Sequence, residues 1–199
     1  MASDAPELPE TPTAAVDDNS KLFQAKGCAC PRFNELGVSK TLAKFTSEFL
    51  PKCPIVDPRG KTITILKSNF PKLISLEHLT LKRDEFSASK IVQSIEDGTF
   101  DPKDYKPQEL DRMQTLFWIP EVLSDPDAIY SNGHNVVAGD EIYVRVYDKR
   151  KPQVKLVFTL DIKRKSDGSM IKTVPVTSFL ASRNRAIKMI KGAPLYVRK

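Results

Sequence analysis

Three runs near the C-terminus, with apolar residues at every second position, restrict this chain more than any other feature. EIYVRVY, from Glu141, sets Ile142, Val144 and Val146 on one side and Tyr143, Arg145 and Tyr147 on the other. VKLVFTLDI sets Val154, Leu156, Phe158, Leu160 and Ile162 against Lys155, Val157, Thr159 and Asp161. SMIKTVPVTSF, from Ser169, is the third run. A period of two is the side-chain repeat of a strand and cannot place one face of a helix in a core. Turn residues separate the runs at Asp148-Lys149-Arg150-Lys151-Pro152 and Ser166-Asp167-Gly168, and Ser131-Asn132-Gly133 precedes them. Alternating runs joined by short turns predict an antiparallel meander. Pro175 has no backbone N–H to donate, so it predicts a sheet edge or a bulge.

Upstream, the period changes. SKTLAKFTSEFL spaces Leu42, Phe45, Phe49 and Leu50 as a helical stripe, with Ser39 as the expected N-cap and Pro51 and Pro54 as the stop. KTITILKS predicts a short strand over 61–67. FPKLISLEHLTL leans to helix from Pro71. DEFSASKIVQSIEDG places Ala88, Ile91, Val92 and Ile95 on one face, with Asp84 to cap it and Gly98 to end it. PQELDRMQTLF places Leu110, Met113, Leu116 and Phe117 on one face, and Trp118-Ile119-Pro120 breaks or kinks the helix. After the third run, SRNRAIKMIKG reads as a short basic helix and APLYVRK as a final strand.

Helices first and strands second predict an α+β fold, with N-terminal helices packed on a curled C-terminal antiparallel sheet. The expected inner face is the Ile142, Val144, Val146 side. The expected outer face carries Tyr143, Arg145, Tyr147, Lys155, Thr159 and Thr177, where aromatics interleaved with cations and hydroxyls can stack bases and grip phosphates. Half-exposed Tyr and Thr are also simply good strand formers. Three parts are expected: a disordered acidic arm over 1–20, a helical N-terminal extension over 21–60, and an α+β domain over 61–199. The arm has almost no large apolar residue to offset the cost of ordering.

Charge is distributed unevenly. The formal net charge is +6, but residues 1–20 contain five acids and no Lys or Arg. Residues 142–199 contain 15 basic and 3 acidic side chains. A field that concentrated attracts polyanions, with nucleic acid as the first candidate and an anionic membrane surface as the second. A solvated basic face with no partner is the plain alternative.

Several chemistries find no support. No run approaches the ~18 apolar residues needed to cross a bilayer. The first residues have no basic or apolar signal regions, so a cytoplasmic protein with no membrane partner is expected. There is no Gly-x-Ser-x-Gly, P-loop or Gly-x-Gly-x-x-Gly. Cys28, Cys30 and Cys53 are the three cysteines, an odd count that argues against a disulfide framework; they read as reduced thiols or, with a histidine, as a structural metal site.

The order of motifs resembles the barnase–EndoU–colicin–RelE group of small RNases, in its phage-associated and polymorphic-toxin branch. The likeness rests on an Arg-bearing helix leading into IPEVLSDPDAIY, on the YVRVY and VKLVFTLDI strands, and on a last strand ending in VTSF. It covers roughly residues 61–199. It implies an endoribonuclease with no metal or other cofactor, acting on transfer or messenger RNA. A toxin of this kind also implies delivery to a target cell and an immunity protein as partner. Carried over, Arg112 is the helix arginine, Asp125-Pro126-Asp127 is the turn into the sheet, and Thr177 and Ser178 close the active strand. The group's early-helix histidine corresponds to His78, here without the adjacent lysine; Lys72 or Lys82 can do part of its work.

Metal-independent cleavage uses the RNA 2′-OH as nucleophile and needs a base, an acid and cations around the phosphorane. His78 and His134 are the only histidines, and His134 falls at an expected hairpin tip. A lone histidine such as His78 is equally well read as structural. Arg112, Lys155, Arg183, Arg185 and Lys188 are the candidate cations, and Tyr143 and Arg145 are further expected substrate contacts. Thr177 and Ser178 can donate to a phosphate oxygen or can cap the helix that follows. The alternative to catalysis is an RNA- or DNA-binding module using the same basic sheet; a third possibility is an interaction protein that touches no nucleic acid.

Overall fold

The computed structural model describes residues 27–76, 88–101, 110–132, 140–148, 153–164 and 166–199. The acidic arm, Lys82, Asp84, Pro107, His78 and His134 lie outside them. In chain order the elements are β1 (Cys28–Ala29), α1 (Val38–Lys44), β2 (Ile55–Val56), β3 (Thr62–Ile63), α2 (Phe70–Leu73), α3 (Ala88–Glu96), α4 (Leu110–Gln114), α5 (Ile119–Ser124), β4 (Ala128–Ser131), β5 (Glu141–Asp148), β6 (Gln153–Lys163), β7 (Met170–Ser182), α6 (Arg183–Met189) and β8 (Pro194–Val197). The class is α+β, with a curled eight-stranded sheet. None of the described helices is long and apolar enough to cross a membrane.

The alternating runs become the centre of the sheet. Strand order is β2-β3-β7-β6-β5-β4-β8, and β1 lies beside the end of β5. β5 and β6 pair antiparallel from Glu141↔Thr159 to Tyr147↔Gln153, and β6 pairs β7 from Gln153↔Ser182 to Lys163↔Met170. The sheet is mixed, because β1–β5 and β3–β7 are parallel contacts. Pro175 sits at a bulge: Phe158 faces Thr177 while Thr159 faces Pro175, so one extra residue enters β7 there. β3 meets β7 only at Ile63↔Thr173. Beyond Pro175 the outer edge of β7 therefore pairs with no described strand.

The helices follow their sequence patterns with local changes. α1 buries Leu42, and a wider turn continues it to bury Phe45 and Phe49, whose ring centres lie 4.6 Å apart. Its N-cap is Gly37 rather than Ser39. Pro120 opens α5, where the missing N–H costs nothing because no partner exists in a first turn. Gly98 ends the region after α3 at φ +72°, a conformation a Cβ would strain. The 61–67 run forms a strand only at Thr62–Ile63, which pairs with the unforeseen β2. The turn between them is set by Asp57, whose Oδ1 accepts from the backbone N–H of Arg59 and Lys61 at 2.9 and 2.8 Å.

The sheet separates two cores, and its faces are the reverse of the sequence expectation. Ile129, Tyr143 and Val157 pack under the N-terminal helices, against Leu116, Ile119 and Val122. Ile142, Val144, Leu156 and Phe158 form a second core on the opposite face, closed by Ala186 and Ile190 from the α6 region. Tyr143, Arg145, Tyr147, Lys155 and Thr159, expected outside, are at most 5% exposed. Both faces are covered, so alternation located the strands without saying which side meets solvent.

Candidate functional site

Three of the expected substrate contacts are committed to the protein itself. The Tyr143 hydroxyl donates to Asp57 Oδ2 at 2.9 Å and receives from Arg59 Nη2 at 3.0 Å. Arg59 also bridges to Glu141 at 2.9 Å, and Lys61 joins Glu141 to Asp161 at 3.0 and 2.8 Å. Burial first, and the neighbouring carboxylates next, hold the Tyr143 phenol well above its usual range. Arg145 is clamped by Glu121 at 2.9 Å and Asp125 at 2.8 Å, and Asp125 and Asp127 also bind Arg198 near the end of the chain. The Asp125-Pro126-Asp127 turn thus works as an anchor for β5 and β8. Tyr143 and Arg145 reach protein partners and leave no face for a base to stack on.

Lys155 is the third. It is fully buried on the helix side of the sheet, where its Nζ donates to Thr115 Oγ1 at 2.7 Å and Ser178 Oγ at 3.0 Å. Thr115 Oγ1 donates in turn to the Asp111 carbonyl at 2.6 Å. No carboxylate of the described residues lies in salt-bridge reach of the amine. Burial, opposed by Asp111 and reinforced by Arg112, pulls the amine from 10.5 down to about 7.

The adjoining open end of β7 gathers a different set. Arg112 Nη1 donates to Thr177 Oγ1 at 3.2 Å. The Arg112 guanidinium carbon stands 5.8 Å from the centre of the Phe179 ring, and that of Arg185 stands 5.2 Å from the same ring. Phe158 stacks against Phe179 from within the second core, at 5.6 Å. Two guanidiniums therefore share one aromatic ring, each inside the ~6 Å reach of a cation–π contact. Among the described residues neither has a carboxylate within 4.0 Å. α4 brings Arg112 to β7, and α6 brings Arg185.

Residues expected for the site divide accordingly. Arg112 and Thr177 meet directly, Lys155 and Ser178 meet on the other, helix-facing side of β7, and Arg185 is exposed near Phe179. Arg183 is half-buried at the start of α6. Ser178 is 0% exposed, with its hydroxyl on Lys155, and does not cap α6. Ser182 does that, accepting from the Arg185 N–H at 3.3 Å. The sequence reading missed Thr115 and Phe179. Thr115 had a signal, since it is a hydroxyl set between the apolar Met113 and Leu116. Phe179 had none, because a core alternation and a cation platform look alike in sequence. Cys28, Cys30 and Cys53 form no disulfide, and no group of three metal-ligating side chains occurs among the described residues.

Compared with protein-family models, curated proteins and solved structures, the chain matches none.

Proposed function

We propose that the protein is a metal-independent endoribonuclease that holds an RNA phosphodiester at the open end of β7. The observation that carries this reading is the pair of guanidiniums, Arg112 and Arg185, on the Phe179 ring, with no described carboxylate to neutralise them. Paired Arg forks suit a phosphate, because each can make two hydrogen bonds in one plane. Thr177 Oγ1 accepts from Arg112 and so keeps its own proton free to give to a phosphate oxygen. Arg112 and Arg185 offset the charge that builds on the phosphorane.

The reaction is attack by the ribose 2′-OH on the adjacent phosphorus, with departure of the 5′ oxygen and formation of a 2′,3′-cyclic phosphate. The nucleophile belongs to the RNA, which selects RNA over DNA. His78 is the base in this reading. The resemblance of IPEVLSDPDAIY and VTSF to the small-RNase group supports the same assignment of Arg112 and Thr177.

A second reading is a non-catalytic RNA- or DNA-binding module. It is favoured by the complete burial of Lys155 and Ser178, which keeps two of the expected reactive groups away from any substrate. Incubating the full chain with total RNA in EDTA separates the two. Discrete fragments ending in 2′,3′-cyclic phosphate support the enzyme; retarded but intact RNA supports the binder. Neither fragments nor salt-sensitive retardation would remove both. Growth arrest on expression, relieved by Arg112→Ala, would add support for a toxin-like role and its need for a protective partner.

A further inference from the structure

A lysine amine with no solvent and no carboxylate partner needs an explanation, and Lys155 has neither among the described residues. Its two hydroxyl partners adjoin Arg112 and Thr177 in sequence, although Ser178 and Thr177 face opposite sides of β7. Thr115 follows Arg112 by three residues, and Ser178 follows Thr177 by one. We propose that Lys155 is coupled by proton uptake to the anion site across β7: an anion seated on Arg112 draws a proton onto the buried amine, and the protonated amine tightens the anion. This rests on the reading that the open end of β7 holds a phosphodiester.

The charges around the amine account for the coupling. On α4, Asp111 favours its charged form and Arg112 opposes it. On β5, Arg145 is its direct register neighbour, but Glu121 and Asp125 already neutralise that guanidinium. The phenols of Tyr143 and Tyr147 on the same face are kept protonated mainly by burial. From β7 come Ser178 and Leu180, both uncharged. Burial and Arg112 therefore hold the amine close to half-protonated at neutral pH, its midpoint being about 7. An anion on Arg112 cancels part of that repulsion, and the amine takes a proton from solvent. Linkage is reciprocal, so anion affinity must rise as pH falls through neutrality. A rise of one pH unit in the amine's midpoint corresponds to about tenfold in affinity between the two pH limits.

The test uses the full chain with 13Cε-labelled lysine and a 2′-O-methyl RNA oligonucleotide, which binds but cannot be cleaved through its 2′ oxygen. A phosphodiester keeps its charge across the range, and with an oligonucleotide of adenine and cytosine, whose bases do not titrate between pH 6 and pH 9, the pH dependence belongs to the protein. The expected result is one lysine resonance titrating near pH 7 in the free protein and about one unit higher with the oligonucleotide bound. Kd should fall about tenfold between pH 9 and pH 6. Lys155→Met should remove that resonance and flatten the Kd profile near pH 7. If the variant fails to fold, the resonance remains identifiable, because ordinary lysines titrate above pH ~10. A bound oligonucleotide that leaves the midpoint unmoved, or the absence of any lysine titrating below pH 9, overturns the proton coupling while the RNA reading stands. An oligonucleotide that does not bind at any pH overturns the RNA reading and this inference together.

Discussion

Arg112 and Thr177 are 65 residues apart in sequence, yet the guanidinium donates to the hydroxyl at 3.2 Å where the outer edge of β7 has no described strand beside it. The contact joins α4 to the last long strand and leaves the hydroxyl proton directed away from the arginine. Thr177→Val keeps the shape and removes that proton. It should lower the RNA cleavage rate about tenfold to a hundredfold, as loss of one donor to a developing oxyanion does. Because Thr177 is half-buried, the melting temperature should hardly move.

Arg185 is exposed and lies against Phe179, so it tests electrostatics with little risk to the fold. Arg185→Gln should weaken RNA binding across sequences. The slope of log Kd against log salt should fall by about 0.7–0.9, the change expected when one phosphate fewer is neutralised. Titrating salt against a labelled oligonucleotide gives that slope directly.

Lys155 makes a stability prediction independent of RNA. Its folded value of about 7 lies below the ordinary 10.5, so between these limits the unfolded chain binds a proton that the fold does not. Unfolding free energy must therefore rise with pH across that window, and the cost of burying Lys155 is fully present below pH 7. Lys155→Met removes the cost but loses two hydrogen bonds. We expect a gain on the order of 2 kcal/mol at pH 6.5 that disappears and turns into a loss of similar size near pH 10, because a shift from 10.5 to about 7 changes the balance by about 4 kcal/mol across that range. Urea unfolding at a series of pH values checks both the gain and its disappearance.

The sequence made the strands legible and left their facing hidden, and Tyr143, Arg145 and Lys155 show why. Period two assigned all three to one side of the sheet, and they do share one side. Their polar ends suggested solvent. What reverses this is distant in sequence: Asp57 and Arg59 meet Tyr143, Glu121 and Asp125 meet Arg145, and Thr115 and Ser178 meet Lys155. A local pattern records a polar group and not its partner. The same limit explains α1, where Gly37 takes the cap expected of Ser39. Pro175, Gly98 and Pro120 were legible because each restricts its own backbone, whatever surrounds it. The contact between Arg112 and Thr177 was hidden for the same reason, since no spacing rule connects residues that far apart.

The cluster around Asp57 should govern acid stability. Burial works against the Asp57 and Glu141 charges, but hydrogen bonds from Arg59 and Lys61 outweigh it and hold both carboxyls below their usual range. Lys61 and Thr173 do the same for Asp161. Groups lowered in this way stabilise the fold above their unfolded values, and that contribution disappears as pH falls through their folded ones. Unfolding free energy should therefore drop below pH ~4. Asp57→Asn should cost about 2–3 kcal/mol at pH 7 and make the acid limb shallower. Circular dichroism across an acid titration reads both.

Tyr143→Phe separates a structural phenol from a base-stacking one. It removes one hydroxyl from a buried network, which should cost about 1 kcal/mol or somewhat more in unfolding free energy. RNA affinity should stay unchanged, because the ring is 0% exposed.

The most direct test of the central claim is the cleavage rate of a defined RNA in EDTA by the wild-type chain and by Arg112→Met, with folding verified for both. The account predicts 2′,3′-cyclic phosphate ends from the wild type and a rate lower by about 10²–10³ in the variant, the usual scale for removing a preorganised charge from the transition state. A folded Arg112→Met protein that cuts as fast as the wild type would contradict it, as would a wild-type protein that leaves the RNA intact.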